Sequence, residues 1–239
     1  MKFSLVFKRL GFLIMWKVVV FLLFSSIVYL PNSNGQAYFR ISADFTIKES
    51  TVNGKEFYKG KVFFDKNVNK IIYKISFPDN KKLVMADTQM YVLQNDKIIN
   101  QGFTPNTNRF SIFNLTLSGH LKNYGLDKTG YYINSIEESE DQTIIEWLPP
   151  TALEDKLGKA VLSLKNDQLF GIVLFKPNGE IMGKRFYKNY VSVNGLPFPK
   201  KIIQISYLHG TEYYKITTFE NIEIDELEND EMYRIDLID

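Results

Sequence analysis

Gly60-Lys-Val-Phe-Phe64 and Ile71-Ile-Tyr-Lys-Ile-Ser-Phe-Pro-Asp79 are the two stretches on which the fold turns. In the first, Gly60, Val62 and Phe64 fall on one side of an extended chain, and Tyr58 joins them from upstream. In the second, Ile71, Tyr73, Ile75 and Phe77 alternate with Ile72, Lys74 and Ser76. Strand side chains point to opposite faces with period two, so each stretch reads as a strand with one apolar face. Asn67 and Asn69 supply the turn between them, and Pro78-Asp79-Asn80 breaks the second strand.

The same pattern extends in both directions. Residues 38–48 alternate through Phe39, Ile41, Ala43, Phe45 and Ile47, and Asn53-Gly54 then supplies a hairpin turn, because both residues tolerate positive φ. Short strands are predicted over 82–86, 89–94, 131–135 and 143–148. The C-terminal half returns to hairpins over 159–164, 169–175, 180–190, 200–208 and 212–222, with turns at Asn166-Asp167, Asn194-Gly195 and His209-Gly210. In the 180–190 strand, Met182, Phe186 and Tyr190 are placed on one face. The period changes only between Thr104 and Gly125. There Phe110, Phe113, Leu117 and Leu121 recur at spacings of three and four, predicting a helix from about Thr107 or Asn108 that Gly125 stops. A second short helical turn is expected near Thr151. The reading is mainly β, with roughly eleven antiparallel strands in sequential order and one or two helices. So many strands with one apolar face each must curl or close to bury it. The concave side is then either packed by its own aromatics or left as an apolar cavity.

The chain of 239 residues has a formal charge of +2, but the charge is uneven. Lys2, Lys8, Arg9 and Lys17 lie in residues 1–37, which hold no acid, whereas residues 212–239 hold ten acids against Lys215 and Arg234. In the first region, basic residues precede an apolar run over 18–30. Pro31 then breaks the run, and Gly35 and Ala37 stand at −3 and −1 of a cut after Ala37. This is the layout of a secretory signal peptide, and the run is shorter than a membrane span needs. Export is the expectation, with one domain over 38–239. An uncleaved anchor is the alternative. Losing four bases turns the balance of the mature chain slightly negative.

Composition excludes much chemistry. There is no cysteine, so disulfide scaffolds, thiol catalysis, thiolate metal sites and a lipidated N-terminal Cys are out. His120 and His209 are far apart and both read as structural or surface residues. No nucleophile elbow, phosphate loop or zinc-binding His pair occurs, so neither a catalytic nor a metal site is predicted and no cofactor is expected. Five arginines do not make a nucleic-acid surface. The segment from Asp225 to Glu231 lacks the Gly of a calcium loop and reads as a solvated acidic edge.

Gly60-Lys-Val-Phe-Phe64, Ile72-Tyr-Lys-Ile-Ser-Phe-Pro-Asp79, Leu83-Val-Met-Ala-Asp87 and Met90-Tyr-Val-Leu93 together resemble the periplasmic outer-membrane lipoprotein carrier family (LolA-like). The hairpin around Asn166-Asp167, the strand 181–190 and Gly195-Leu-Pro-Phe-Pro199 extend the likeness over roughly residues 55–225. The resemblance implies an unclosed β-barrel capped by helices, with an apolar cavity that receives acyl chains. It implies a soluble periplasmic carrier, a monomer, that takes lipoprotein from an inner-membrane ABC transporter to an outer-membrane receptor. One departure stands out. The family begins with a helix before its first strand, whereas residues 38–48 read as strand. On this reading Tyr58, Val62, Phe64, Tyr73, Ile75, Phe77, Met182, Phe186 and Tyr190 are candidates to line the cavity, and Phe110, Phe113, Leu117 and Leu121 to form a lid. The competing expectation is an envelope interaction or assembly protein that uses the same fold without transport.

Overall fold

Among the residues it describes, the computed structural model has thirteen strands in a single antiparallel sheet. It describes residues 38–51, 54–86, 88–103, 108–208, 210–226 and 230–233. All of them belong to one compact unit, 38–239. The segment 1–37, with its expected export signal, lies outside the described residues, as do Thr107 and His209.

The strands are β1 (Arg40–Thr51), β2 (Gly54–Asp65), β3 (Lys70–Phe77), β4 (Lys81–Ala86), β5 (Gln89–Gln94) and β6 (Lys97–Phe103), then β7 (Tyr132–Glu138), β8 (Gln142–Leu148), β9 (Ala160–Lys165), β10 (Gln168–Phe175), β11 (Ile181–Val193), β12 (Leu196–Leu208) and β13 (Thr211–Ile224). Their spatial order is β6-β5-β4-β3-β2-β1-β13-β12-β11-β10-β9-β8-β7. Each strand therefore pairs with its sequence neighbours, except that β1 pairs with β13 and the chain crosses from one edge, β6, to the other, β7. Those edges do not pair, so the barrel is unclosed, and the fold class is the one expected. The strand beyond the sequence reading is β6, whose mixed Lys-Ile-Ile-Asn-Gln pattern has no clean alternation. Among the described residues no helix precedes β1.

Helix α1 (Ile112–Leu117) is much shorter than the predicted helix. Its limits are chemical. Ser111 caps the start by accepting a hydrogen bond from the Asn114 amide at 3.2 Å. At the end, Gly119 takes φ +69°. Its N–H bonds the Thr116 carbonyl at 3.1 Å, while that of His120 bonds the Leu115 carbonyl at 2.9 Å. This pair is the Schellman stop, which favours glycine at that position. Leu121 and Tyr124 therefore follow in turns, and Gly125 begins a short 3-10 turn at Leu126–Lys128.

The sheet has two faces of unequal burial. Its inner face holds the main core, where Ile41, Phe45, Val62, Phe64, Leu162, Phe198 and Phe219 are buried with Phe113, Leu115, Leu117 and Leu121 of the α1 segment. The outer face carries a smaller core of Phe63, Ile72, Val84 and Leu93, closed by Tyr233 from the short helix α2 (Asp230–Tyr233). This corrects the expectation of a solvated acidic edge. Asp225 accepts from the backbone N–H of Phe39 and of Arg40, both at 2.8 Å, and Asp230 pairs with the Arg40 guanidinium. The acids fix the tail to β1 so that its Tyr can be buried.

Candidate functional site

The inner face of β2 and β3 is built as the alternation requires. Gly60 pairs with Ile75, Val62 with Tyr73 and Phe64 with Ile71. Val62 and Phe64 are fully buried, and Tyr58, Tyr73 and Ile75 pack against the same core. Burial pushes the Tyr73 phenol up to about 12. Tyr58 donates to Glu56; that bond, and then burial, raise its phenol to about 12. Phe77 departs from the row. The register shifts between Lys59 and Gly60, so Lys59 faces Phe77 and Ser76 is left between pairs. Phe77 thus falls on the outer side, 5.7 Å from the Phe57 ring, and is exposed.

Strand β11 divides the other three candidates. Phe186 packs against Phe170 at 6.2 Å and lies off the main core. Its neighbour Tyr187 is the buried one, against Tyr124 at 6.5 Å. Met182 sits at a register shift opposite Leu174 and Phe175 and is exposed. Tyr190 does reach the core, and its hydroxyl donates to the Leu169 carbonyl at 2.6 Å. The switch between the two settings is Asn189, with φ +58°. A residue in that conformation interrupts the alternation: 183, 185 and 187 share the inward side before it, and after it both Tyr190 and Val193 pack on the main core.

The four lid candidates come together, but as a plug inside the sheet. Phe113, Leu117 and Leu121 are buried in the main core, and Phe110 stacks on Tyr124 at 5.7 Å. Phe113 is the centre, with ring centroids 6.0 Å from Phe64, 6.2 Å from Phe198 and 5.5 Å from Phe219. Buried Asn108 ties the plug to the β3–β4 side, donating to the carbonyls of Asn69 at 2.8 Å and Met85 at 3.2 Å.

Beyond the plug the inner face is mixed. Glu49 and Lys215 are register partners and pair at 3.3 Å. Further round, a pocket of about 190 Å³ opens between β10, β11 and β12, with Ile172, Leu174, Arg185, Gln204 and Ser206 in its lining. Arg185 donates to the Tyr124 hydroxyl. Burial tends to lower the Arg185 pKa, but the neighbouring Tyr124 and Tyr187 hydroxyls outweigh it and hold it above the ordinary value. Ile133 and Ile136 on the edge strand β7 are also exposed. They pair with Trp147 and Ile145, both part of or packed on the main core, and so carry apolar surface past the plug to the rim. Sequence reading singled out neither Tyr187 nor Tyr124, and it assigned no role to Arg185. The available signal was Asn189, an αL-tolerant residue inside an otherwise continuous strand.

No family model matches the sequence, and no curated protein matches it. Solved structures do. A LolA superfamily protein from Nitrosomonas europaea is 14% identical with a TM-score of 0.55, over 84% of this chain and 92% of that one. A DUF1329 family protein from Desulfovibrio piger is 13% identical with a TM-score of 0.58, over 83% and 91%. A domain named for outer membrane lipoprotein sorting from Vibrio parahaemolyticus is 8% identical with a TM-score of 0.54, over 83% and 91%. At these identities the likeness is one of fold, and the fold is LolA-like.

Proposed function

We propose that this chain, which shares the LolA-like fold, is a periplasmic carrier that receives the acyl chains of lipoproteins or related lipids on its inner face and hands them to the outer membrane. The observation that carries the reading is the plug: the apolar half of the inner face is filled by one short segment, with Phe113 at its centre, and not by a second layer of sheet. Such a segment can be displaced by something of like chemistry. An acyl chain of palmitoyl length avoids on the order of 12 kcal/mol of exposure when buried, so an open apolar sheet can hold it without covalent chemistry or ATP. The open edges β6 and β7 leave a lateral entry, and exposed Ile133 and Ile136 mark an apolar rim there. The expected partners are acylated cargo, an inner-membrane ABC transporter and an outer-membrane receptor. Export by residues 1–37 is part of this proposal.

The test is to purify the protein from a bacterial envelope and extract it for mass spectrometry, alongside titration with a fluorescent fatty acid. Bound acyl species and saturable uptake are expected. Empty protein and no uptake would sink the carrier.

A second reading is a non-transport envelope interaction or assembly protein. It is favoured by the degree of filling, since a pocket of about 190 Å³ is below the usual range of about 300–1,000 Å³ for small-molecule sites. A stable protein complex recovered with the full chain, without bound acyl species, would favour it.

A further inference from the structure

Arg185 lies on the inner face of β11, in a row set by strand pairing. Ile172 of β10 is its register partner on one side and Gln204 of β12 on the other. In the next row, Leu174 faces Gly183, and Gly183 faces Ser206. These six residues line the pocket of about 190 Å³. Its lining contains no Asp or Glu. Among the described residues Arg185 forms no ion pair. Its hydrogen-bonding environment consists of the hydroxyls of Tyr124 and Tyr187.

A guanidinium has five N–H donors in a planar fork, and two neutral hydroxyls cannot use them all. A partly buried cation without a counter-charge is costly unless something supplies the missing anion. Lys184 also borders the pocket, but its ammonium is turned away from the inner row. Lys184 alternates to the outer face, where its ammonium lies 5.5 Å from the Tyr207 ring centroid. The Arg185 guanidinium is therefore the cation of the inner row, with an amide from Gln204 and a hydroxyl from Ser206 beside it and two aliphatic side chains, Ile172 and Leu174, on the neighbouring strand.

We infer that this pocket is an anion site for the headgroup of an acyl amphiphile, with Arg185 as the fork that binds a carboxylate or phosphate and Ile172 and Leu174 receiving the first methylenes. Arg matches both groups in planar, bidentate fashion. The pocket is large enough for a headgroup and too small for a whole acyl chain, which would continue along the inner face. The inference rests on the acyl-binding reading above and adds to it a requirement for negative charge at one end of the ligand.

The experiment is a fluorescence titration of the full mature chain with cis-parinaric acid and with its methyl ester, in the native protein and in Arg185→Met. The native protein is expected to bind the acid at least ten-fold tighter than the ester. In Arg185→Met the acid should fall to the level of the ester, and the ester should be unchanged. Ser206→Asp provides a second variant that keeps the Arg185–Tyr124 contact and places a carboxylate in the row beside it, and it too should remove the preference. Equal binding of acid and ester by the native protein would overturn the anion site while leaving the acyl-binding reading intact. Binding of neither would overturn both. Hexadecyl phosphate should displace the acid at concentrations where inorganic phosphate does not. Displacement by inorganic phosphate at equal concentration would assign the site to a free anion and overturn the headgroup.

Discussion

The Arg40 guanidinium sits 4.7 Å from the ring centroid of Tyr233, joining the first strand of the sheet to the last described residue of the chain. Its Nε also donates to buried Asp65 at 2.8 Å, and the Tyr233 ring meets Phe63 edge-on at 5.4 Å. The tail is therefore a structural strap over the outer core. Tyr233→Ala should cost about 3 kcal/mol, the usual toll for removing a buried aromatic. Arg40→Met should cost a similar amount, about 3 kcal/mol, because it leaves Asp65 buried without its cation. Urea unfolding of the two variants checks both values. A tail that merely lies in solvent would leave the midpoint unmoved.

Gly60 is fixed by a different constraint. A Cβ added there would lie 1.9 Å from the Lys74 carbonyl oxygen, which is backbone and cannot swing aside. The close approach belongs to the register shift that turns Phe77 outward. Gly60→Ala should therefore destabilise by clearly more than the ~1 kcal/mol of an average substitution. It should also disturb the β2–β3 pairing, visible as loss of amide protection at residues 59–62 and 74–77 in hydrogen exchange. Gly179→Ala, in a turn where a Cβ meets nothing within 4 Å, is the control. Only the left-handed backbone should oppose it, with a cost of about 1 kcal/mol.

The architecture was largely legible from the alternation of Ile71, Tyr73 and Ile75 against Lys74 and Ser76, because a half-buried strand cannot hide its period. The side to which each residue points was legible only as far as the alternation ran unbroken. Phe77 and Phe186 were misplaced because the alternation is interrupted beside them, by the unpaired Ser76 before Phe77 and by the left-handed Asn189 between Phe186 and Tyr190. The helical spacing of Phe110, Phe113, Leu117 and Leu121 correctly grouped residues that pack together. It did not reveal that Gly119 ends the helix between them. The tail misled for another reason. Five acids between Asp225 and Glu231 dominate any reading of it by composition, and the buried ring that anchors it, Tyr233, lies just beyond them. Arg185 was illegible because a cation inside a sheet is recognised by the charges absent around it, which only the fold can show.

Alkaline titration gives a third prediction. Burial raises the Tyr73 phenol to about 12 in the folded protein, from an ordinary value of 10.0. Above that ordinary value the unfolded chain loses this proton while the folded chain keeps it, so the unfolded state gains. The stabilising contribution is thus complete below pH ~10 and is lost as pH rises toward ~12. Stability measured by chemical unfolding should fall over this window, and Tyr73→Phe should fall less steeply than the native protein. Ultraviolet difference spectra should show the Tyr73 phenolate appearing late, only as the protein opens. An equal slope in the variant would show that Tyr73 is not protected.

Phe113 separates the two readings of the inner face. Its ring touches Phe64, Phe198 and Phe219, so Phe113→Ala should leave a void and cost about 3–5 kcal/mol. If the plug occupies the place of an acyl chain, that loss is recoverable. A ligand that binds the folded state stabilises it in proportion to the logarithm of its concentration over Kd, about 2.7 kcal/mol at a hundred-fold excess. Palmitate should then raise the melting temperature of Phe113→Ala more than that of the native protein, because the variant no longer needs to expel a ring before accepting the chain. In an interaction module whose interior is permanently packed, the void is too deeply enclosed to admit the ligand, and palmitate should move neither melting temperature. Thermal unfolding of both proteins with and without palmitate, below its critical micelle concentration, distinguishes these outcomes.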